Sequence, residues 1–130
     1  MINLSQLELT RPVTDLHIVD KHNEKTGLVF RIRPSTADEY QKALRKSQDR
    51  YSSGKKVSVK ERRQLLDMIL LARIDGWAWS GQAREKLGEP EFSPANLKAV
   101  LFENGEHSAA IRNQINEIVG NEEELFTEGE

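Results

Sequence analysis

Three histidines, His17, His22 and His107, are the side chains of this chain best suited to hold a metal or move a proton near neutral pH. They fall on a strand, a loop and a helix boundary, and no two have the spacing with which a helix presents paired imidazoles to one ion. The serines offer no activated nucleophile: none lies in a Gly-x-Ser-x-Gly elbow, and Ser58, Ser93 and Ser108 stand where helix caps are expected. Gly76, Gly81, Gly88 and Gly105 do not form a phosphate-cradling loop followed by Lys-Ser/Thr. Glu89 and Glu91 flank a proline in a turn, and Asp75 has the position of a helix-end residue. With 0 cysteines there is no disulfide, thiolate metal site or sulfur nucleophile, as suits a reducing compartment. The expectation is a protein that is not an enzyme, with no catalytic residues, metal or cofactor.

Binding chemistry is better represented. Trp77 and Trp79 follow an apolar run, Leu65 to Ile74, and tryptophan is enriched among the residues that anchor protein partners. Being two apart, they are not expected both to face inward in an extended segment, so one is expected at the surface or in an interface; the alternative is that both are core or half-buried packing. Between Arg45 and Arg63 eight basic residues are opposed by Asp49 and Glu61, giving +6, whereas the last ten residues carry −5 and no base. Such a split is compatible with head-to-tail association between copies, or with two solvated surfaces. A basic stretch could also follow a phosphate backbone, but the chain is −2 overall and, apart from Tyr51, no aromatic residue is interleaved with the bases. Nucleic acid is therefore an unlikely partner.

The elements that must position these residues follow from pattern. At 130 residues, 37% hydrophobic and 31% charged, the chain is expected to fold as a single domain over 1–120, followed by an acidic tail, 121–130. The start, MINLSQLELTRP, lacks the basic opening and unbroken apolar stretch of an export signal, and Leu65–Ile74 is about half the roughly 20 residues that span a bilayer. No membrane association is expected. Leu16 and Ile18 alternate with His17 and Val19, and Leu28, Phe30 and Ile32 share a face of LVFRIR, which predicts a β-hairpin joined by KHNEKTG. Leu7 and Leu9 are candidates for a further short strand, and Pro12 suits a strand start.

Pro34 ends the second strand, and Thr36 to Glu39 has the form of a capping box opening a helix with Ala37, Tyr40, Leu44 and Tyr51 inward. A second capping box, Ser58 to Glu61, opens a helix that is apolar on most sides from Leu65 onward and is stopped by Gly76. A helix of that kind is central in its fold or shared with a partner. After a Gly88-Glu89-Pro90-Glu91 turn, Ser93-Pro94 opens a helix with Leu97, Val100 and Leu101 inward, with Phe92 as a hydrophobic staple and Asn104-Gly105 as its stop. A last helix starts near Ser108, shows Ile111, Ile115, Ile118 and Val119 on one face, and closes at Gly120. The fold class is α+β, an N-terminal β-hairpin followed by about four helices, mostly α.

The order of these features resembles the tail assembly chaperones of long-tailed, siphovirus-type bacteriophages. The resemblance rests on Phe30-Arg31-Ile32-Arg33-Pro34 before the Ser/Thr-Ala-Asp-Glu helix start, then Leu70-Leu71-Ala72-Arg73 with Gly76-Trp77, Gly88-Glu89-Pro90, and Phe92-Ser93-Pro94 with Asn96. It covers roughly residues 28 to 120; the segment Ser80 to Leu87 is a longer insert than the family pattern has. The resemblance implies a non-enzymatic protein of the host cell cytoplasm that binds and solubilises the helical tape measure protein. It also implies recruitment of tail tube protein, self-association, and absence from the mature virion. An acidic ending suits a short form of the kind that a translational frameshift extends in many members.

For such a role the candidate partner-binding residues are Leu66, Ile69, Leu70, Trp77, Trp79, Leu97 and Leu101, lining a groove between helices that would shield an apolar helical stripe. Two other expectations stand beside it: a small nucleic-acid-binding regulator using the basic 45–63 region, and a structural tail or connector component that stays in the particle.

Overall fold

Alternation of apolar and polar side chains builds the first two strands, β1 (Thr14–Val19) and β2 (Lys25–Ile32), with Leu16, Ile18, Leu28, Phe30 and Ile32 turned inward and buried. The structure is a computed structural model and describes residues 2–4, 7 and 13–128, of which 121–128 in backbone only. Leu9 and Pro12 lie outside the described residues. Leu7 does not extend a strand; its N–H donates to the Leu4 carbonyl at 3.0 Å, which is a turn. The hairpin connection is tighter than the seven residues KHNEKTG. Asp20 closes it: its Oδ1 accepts the N–H of His22 at 2.8 Å and of Glu24 at 3.1 Å, and Asn23 adopts φ 62°.

The helices α1 (Asp38–Ser52) and α2 (Val59–Ala72) follow, then a third strand, β3 (Ile74–Trp79), and the helices α3 (Gly81–Leu87), α4 (Pro94–Phe102) and α5 (Gly105–Glu128). The fold is α+β and mostly α, with a β-hairpin at its start. The sheet order is β1-β2-β3. Arg33 N–H bonds to Arg73 O while Ser80 N–H bonds to Gly27 O, so β3 runs antiparallel to β2.

Several local expectations are corrected. Thr36 does not cap α1: the cap position is Ala37, which has no side-chain acceptor, and Asp38 and Glu39 in the first turn complement the helix dipole instead. The buried residues of α1 are Tyr40, Ala43 and Ser47, with Leu44 half-buried and Tyr51 exposed. Gly76 does not stop α2. That helix ends at Ala72 because Arg33 takes the carbonyls that would continue it: its N–H bonds to Arg73 O, and its guanidinium Nη1 donates to Ala72 O at 3.1 Å and Ile74 O at 2.9 Å. The isoleucine, glycine and two tryptophans beyond it become a strand. The segment Ser80 to Leu87, read from sequence as an insert, contains α3. Gly120 does not close the last helix, since α5 begins at Gly105 and continues to Glu128; the side chains of the acidic 121–130 segment lie outside the described residues.

The chain divides into two compact units, one made of residues 1–15 and 30–77 and the other of residues 16–29 and 78–130. Each strand contributes residues to both. In unit 1 the buried side chains include Phe30, Ile32, Tyr40, Ala43, Arg73 and Ile74, and in unit 2 Leu16, Ile18, Leu28, Trp79, Leu97, Leu101 and Ile115.

Unit 2 contains the closest backbone approach. Gly27 has φ +97°, and a Cβ placed on it would stand 1.8 Å from the Ser80 carbonyl oxygen. Glycine there lets β2 come close enough for Ser80 N–H and Oγ to bond to Gly27 O at 2.9 and 3.2 Å.

Candidate functional site

In unit 1 the apolar helix α2 is capped as its sequence indicates, Ser58 Oγ accepting Glu61 N–H at 3.1 Å. Its burial is unexpected. None of its residues is fully buried, although LLDMILL is the most apolar run of the chain. Leu66 is 60% exposed and Val59 83%, while Leu65, Met68, Ile69, Leu70 and Leu71 are half-buried.

The loop that launches α2 is held rigidly. The Arg50 guanidinium grips the Glu61 carboxylate through Nε to Oε2 and through Nη2 to Oε1 at 2.8 Å. It also donates to Ser53 Oγ and to the carbonyls of Lys55 and Lys56. Two-point pairing of this kind fixes geometry as well as charge. The other bases of the 45–63 stretch, Arg45, Lys46, Lys55, Lys56, Lys60, Arg62 and Arg63, are exposed.

The far end of α2 is fastened to the sheet by arginines. Arg33 bonds through Nη2 to Asp75 Oδ1 at 3.1 Å and lies 3.7 Å from Glu39. Arg73 is 2% exposed and places its guanidinium over the Tyr40 ring, 4.6 Å from the centroid. Trp77 packs edge-on against Phe30, with ring centroids 6.1 Å apart and planes at 65°.

The tryptophan expectation needs correcting on geometry. Strand residues two apart share a face, so Trp77 and Trp79 need not be split between core and surface. Neither is exposed: Trp77 is half-buried and Trp79 is 6% exposed.

Unit 2 is built around the α4–α5 corner. Ser93 Oγ accepts Asn96 N–H at 3.2 Å to start α4 behind Pro94, and Leu97 and Leu101 are buried. Phe92, expected to staple that helix start, is 41% exposed. Ser108 does not cap a helix. Fully buried, it donates to Val100 O at 2.7 Å and accepts Asn104 N–H at 2.9 Å, stitching α5 to α4. Arg112 continues the seam, donating to Leu101 O and stacking 5.5 Å from the Phe102 ring centroid.

Gln114 of α5 pairs with the backbone of β1 at Val19, accepting its N–H and donating to its C=O, both at 3.0 Å. It completes hydrogen bonds that a neighbouring strand would otherwise supply.

These elements leave a groove in unit 2 of about 940 Å3. Ile18, Leu28, Trp79, Leu87, Val100 and Ile111 supply its apolar walls, with Lys21, His22, Lys86 and His107 among its polar lining.

Of the seven candidate partner-binding residues, Leu66, Ile69, Leu70 and Trp77 belong to unit 1, and Trp79, Leu97 and Leu101 to unit 2. The last three are interior packing at 6%, 6% and 0% exposure. The accessible apolar surface among the seven lies on α2 and at the half-buried Trp77.

Sequence reasoning missed Arg33 and Arg73, because nothing in a linear pattern distinguishes an arginine that folds onto carbonyls from one in water. It missed the groove because it missed α3. Ala83 and Leu87, four apart between Gly81 and Gly88, were the available signal.

Among the described residues, no helix is long and apolar enough to cross a membrane, and no three His, Asp or Glu side chains are grouped to hold a metal. Comparison of the chain with protein-family models, curated proteins and solved structures gave no match.

Proposed function

We propose that this protein is a phage tail assembly chaperone, working in the host cytoplasm. Its task is to keep an apolar helical polypeptide, the tape measure protein, soluble until tail tube protein assembles around it, and then to leave the tail. The observation that carries the reading is the state of α2: the helix that holds the apolar run LLDMILL has no fully buried residue. Excess apolar surface of this kind is a contact surface for a partner, and a helix laid alongside α2 would cover Leu66, Ile69, Leu70 and the half-buried Trp77 through the helix-in-groove mode. The order of motifs from Phe30 to Asn96 supports the same reading by resemblance.

The variant that tests it is Leu66→Glu, because Leu66 is exposed and its replacement leaves the core alone. Trp77 is less suitable, being packed on Phe30. Co-expressed with its tape measure protein, the wild-type chain is expected to co-purify with it, and Leu66→Glu to remain folded and lose it. Undiminished co-purification would discard α2 as the binding surface. Absence of the protein from purified tails, checked by mass spectrometry, separates a chaperone from a structural tail or connector component.

A second reading has one observation in its favour. Seven bases of the 45–63 stretch are exposed, and among the described residues only Arg50 of that stretch forms an ion pair. A nucleic-acid-binding regulator would shift nonspecific duplex DNA at low salt and lose it steeply as salt rises, whereas the chaperone reading requires no shift. The same bases and the acidic 121–130 segment are the proposed contacts for self-association. Assemblies held by exposed charges should shrink on raising salt or on deleting residues 121–130, by sedimentation.

A further inference from the structure

The unit 2 groove has a chemical character that the chaperone reading does not use. Its volume, about 940 Å3, lies within the range of roughly 300–1,000 Å3 typical of small-molecule sites. Five of its polar lining side chains, Asp20, Thr26, Asn104, Ser108 and Gln114, are tied to the fold. Each of the five makes at least one hydrogen bond to the protein's own backbone. Asp20 accepts the amides of His22 and Glu24; Thr26 Oγ donates to Ile18 O and accepts Leu28 N–H; Asn104 Nδ2 donates to Ala99 O; Ser108 and Gln114 make the bonds given above. What remains to meet an occupant is apolar wall, Gln82, and four bases from three elements: Lys21 and His22 on the hairpin loop, Lys86 on α3 and His107 on α5. Neither lysine forms an ion pair with a described residue. The single lining carboxylate, Asp20, is held by two amide donors.

We propose that this groove binds a medium-chain alkyl carboxylate, its chain against Leu28, Trp79, Val100 and Ile111 and its head between Lys21 and Lys86. A polypeptide occupant fits less well. It would bring both donors and acceptors along its backbone and a polar rim needing partners, whereas the groups left to meet an occupant are Gln82 and four bases, a set weighted toward one anionic head. An apolar body with one anionic head asks only for what the groove leaves available.

The test uses the full chain carrying Trp77→Phe, so that Trp79 in the groove wall is the sole tryptophan reporter, with calorimetry on the wild-type chain as the independent measurement. Decanoate is expected to bind with a Kd of about 10–100 µM, and decanol and decyltrimethylammonium at least about tenfold more weakly. Lys21→Glu with Lys86→Glu, exposed positions that leave the fold intact, is expected to weaken decanoate about tenfold and leave decanol unchanged. Ala83→Phe, which fills the groove, should abolish both.

Equal binding of decanoate and decanol would overturn the role of the bases. No decanoate binding below about 1 mM would overturn the site. Binding of an acidic amphipathic peptide in place of decanoate would overturn the ligand class in favour of a docking groove. None of these outcomes depends on tape measure binding, so this inference and the chaperone reading stand or fall separately.

Discussion

Two helices of the molecule differ in how far they bury their leucines. In unit 1, α2 carries LLDMILL and buries none of its residues completely; in unit 2, α4 is nine residues long and buries both Leu97 and Leu101. The difference lies in what surrounds them. α4 is stitched to α5 through Ser108, Asn104 and Arg112, which hold the two helices close enough to exclude water from the leucines between them. α2 is fastened at its ends, by Arg50 on Glu61 at one and Arg33 at the other, and its middle is left half-covered. Burial belongs to the pairing of surfaces rather than to one helix's apolar run: α2 packs on α1, yet none of its apolar residues is fully covered.

The largest expected effect comes from breaking unit 2 at its closest approach. Gly27→Ala puts a Cβ into the Ser80 carbonyl and imposes a left-handed φ on alanine, so it should destabilise by about 3 kcal/mol or more in urea denaturation, or prevent folding. Hydrogen exchange on the surviving folded protein should show protection lost first in residues 16–29 and 78–120. Uniform loss across both units would show that they open as one cooperative body and would weaken the comparison.

Next in size is the paired test of the two helices. Leu101→Ala should lose about 2–5 kcal/mol of stability, as a fully buried leucine does, whereas Leu66→Ala on α2 should change it by no more than about 0.5 kcal/mol. Equal losses would mean that α2 is covered in solution.

Arg33→Gln tests the fastening of α2 to β3. Losing the charge-assisted bonds to Ala72 O, Ile74 O and Asp75 should lower stability by about 2 kcal/mol. Increased amide exchange should concentrate at residues 72–76.

The smallest effect is a pH dependence confined to the hairpin loop. The Glu24 amide, and then that of His22, hold the Asp20 carboxyl below the usual carboxylate range. Its contribution is therefore fully present above the unfolded-state pKa of about 3.9 and lost as pH falls through the lowered folded value. Amide shifts of His22 and Glu24 followed from pH 6 downward (about neutral to strongly acid) should report the loop loosening. Asp20→Asn, which keeps the acceptor and removes the proton, should abolish the response.

Much was legible in the sequence because it depends on neighbours along the chain. Period-two alternation gave β1 and β2 their inward faces at Leu16, Ile18, Leu28, Phe30 and Ile32. Ser58 and Ser93 marked helix starts, since a side-chain oxygen three residues before an amide hydrogen is a local geometry. The apolar run of α2 was equally plain, and so was its need for cover.

Tertiary structure decided the rest, for reasons no local pattern carries. Arg33 ends α2 by reaching carbonyls some forty positions away, and Ile74–Trp79 becomes a strand that buries Trp79 and leaves Trp77 half-buried. Gly27 could be read as a loop glycine until Ser80 approached its backbone. The groove depends on α3, too short to announce itself, and on polar side chains choosing their own backbone over water. Sequence thus determined which segments are apolar and where several helices begin, because propensity and capping act within a few residues. Only the packed fold decided which apolar surfaces find a partner inside the molecule and which are left for one outside it, because burial requires two surfaces and a sequence pattern describes one.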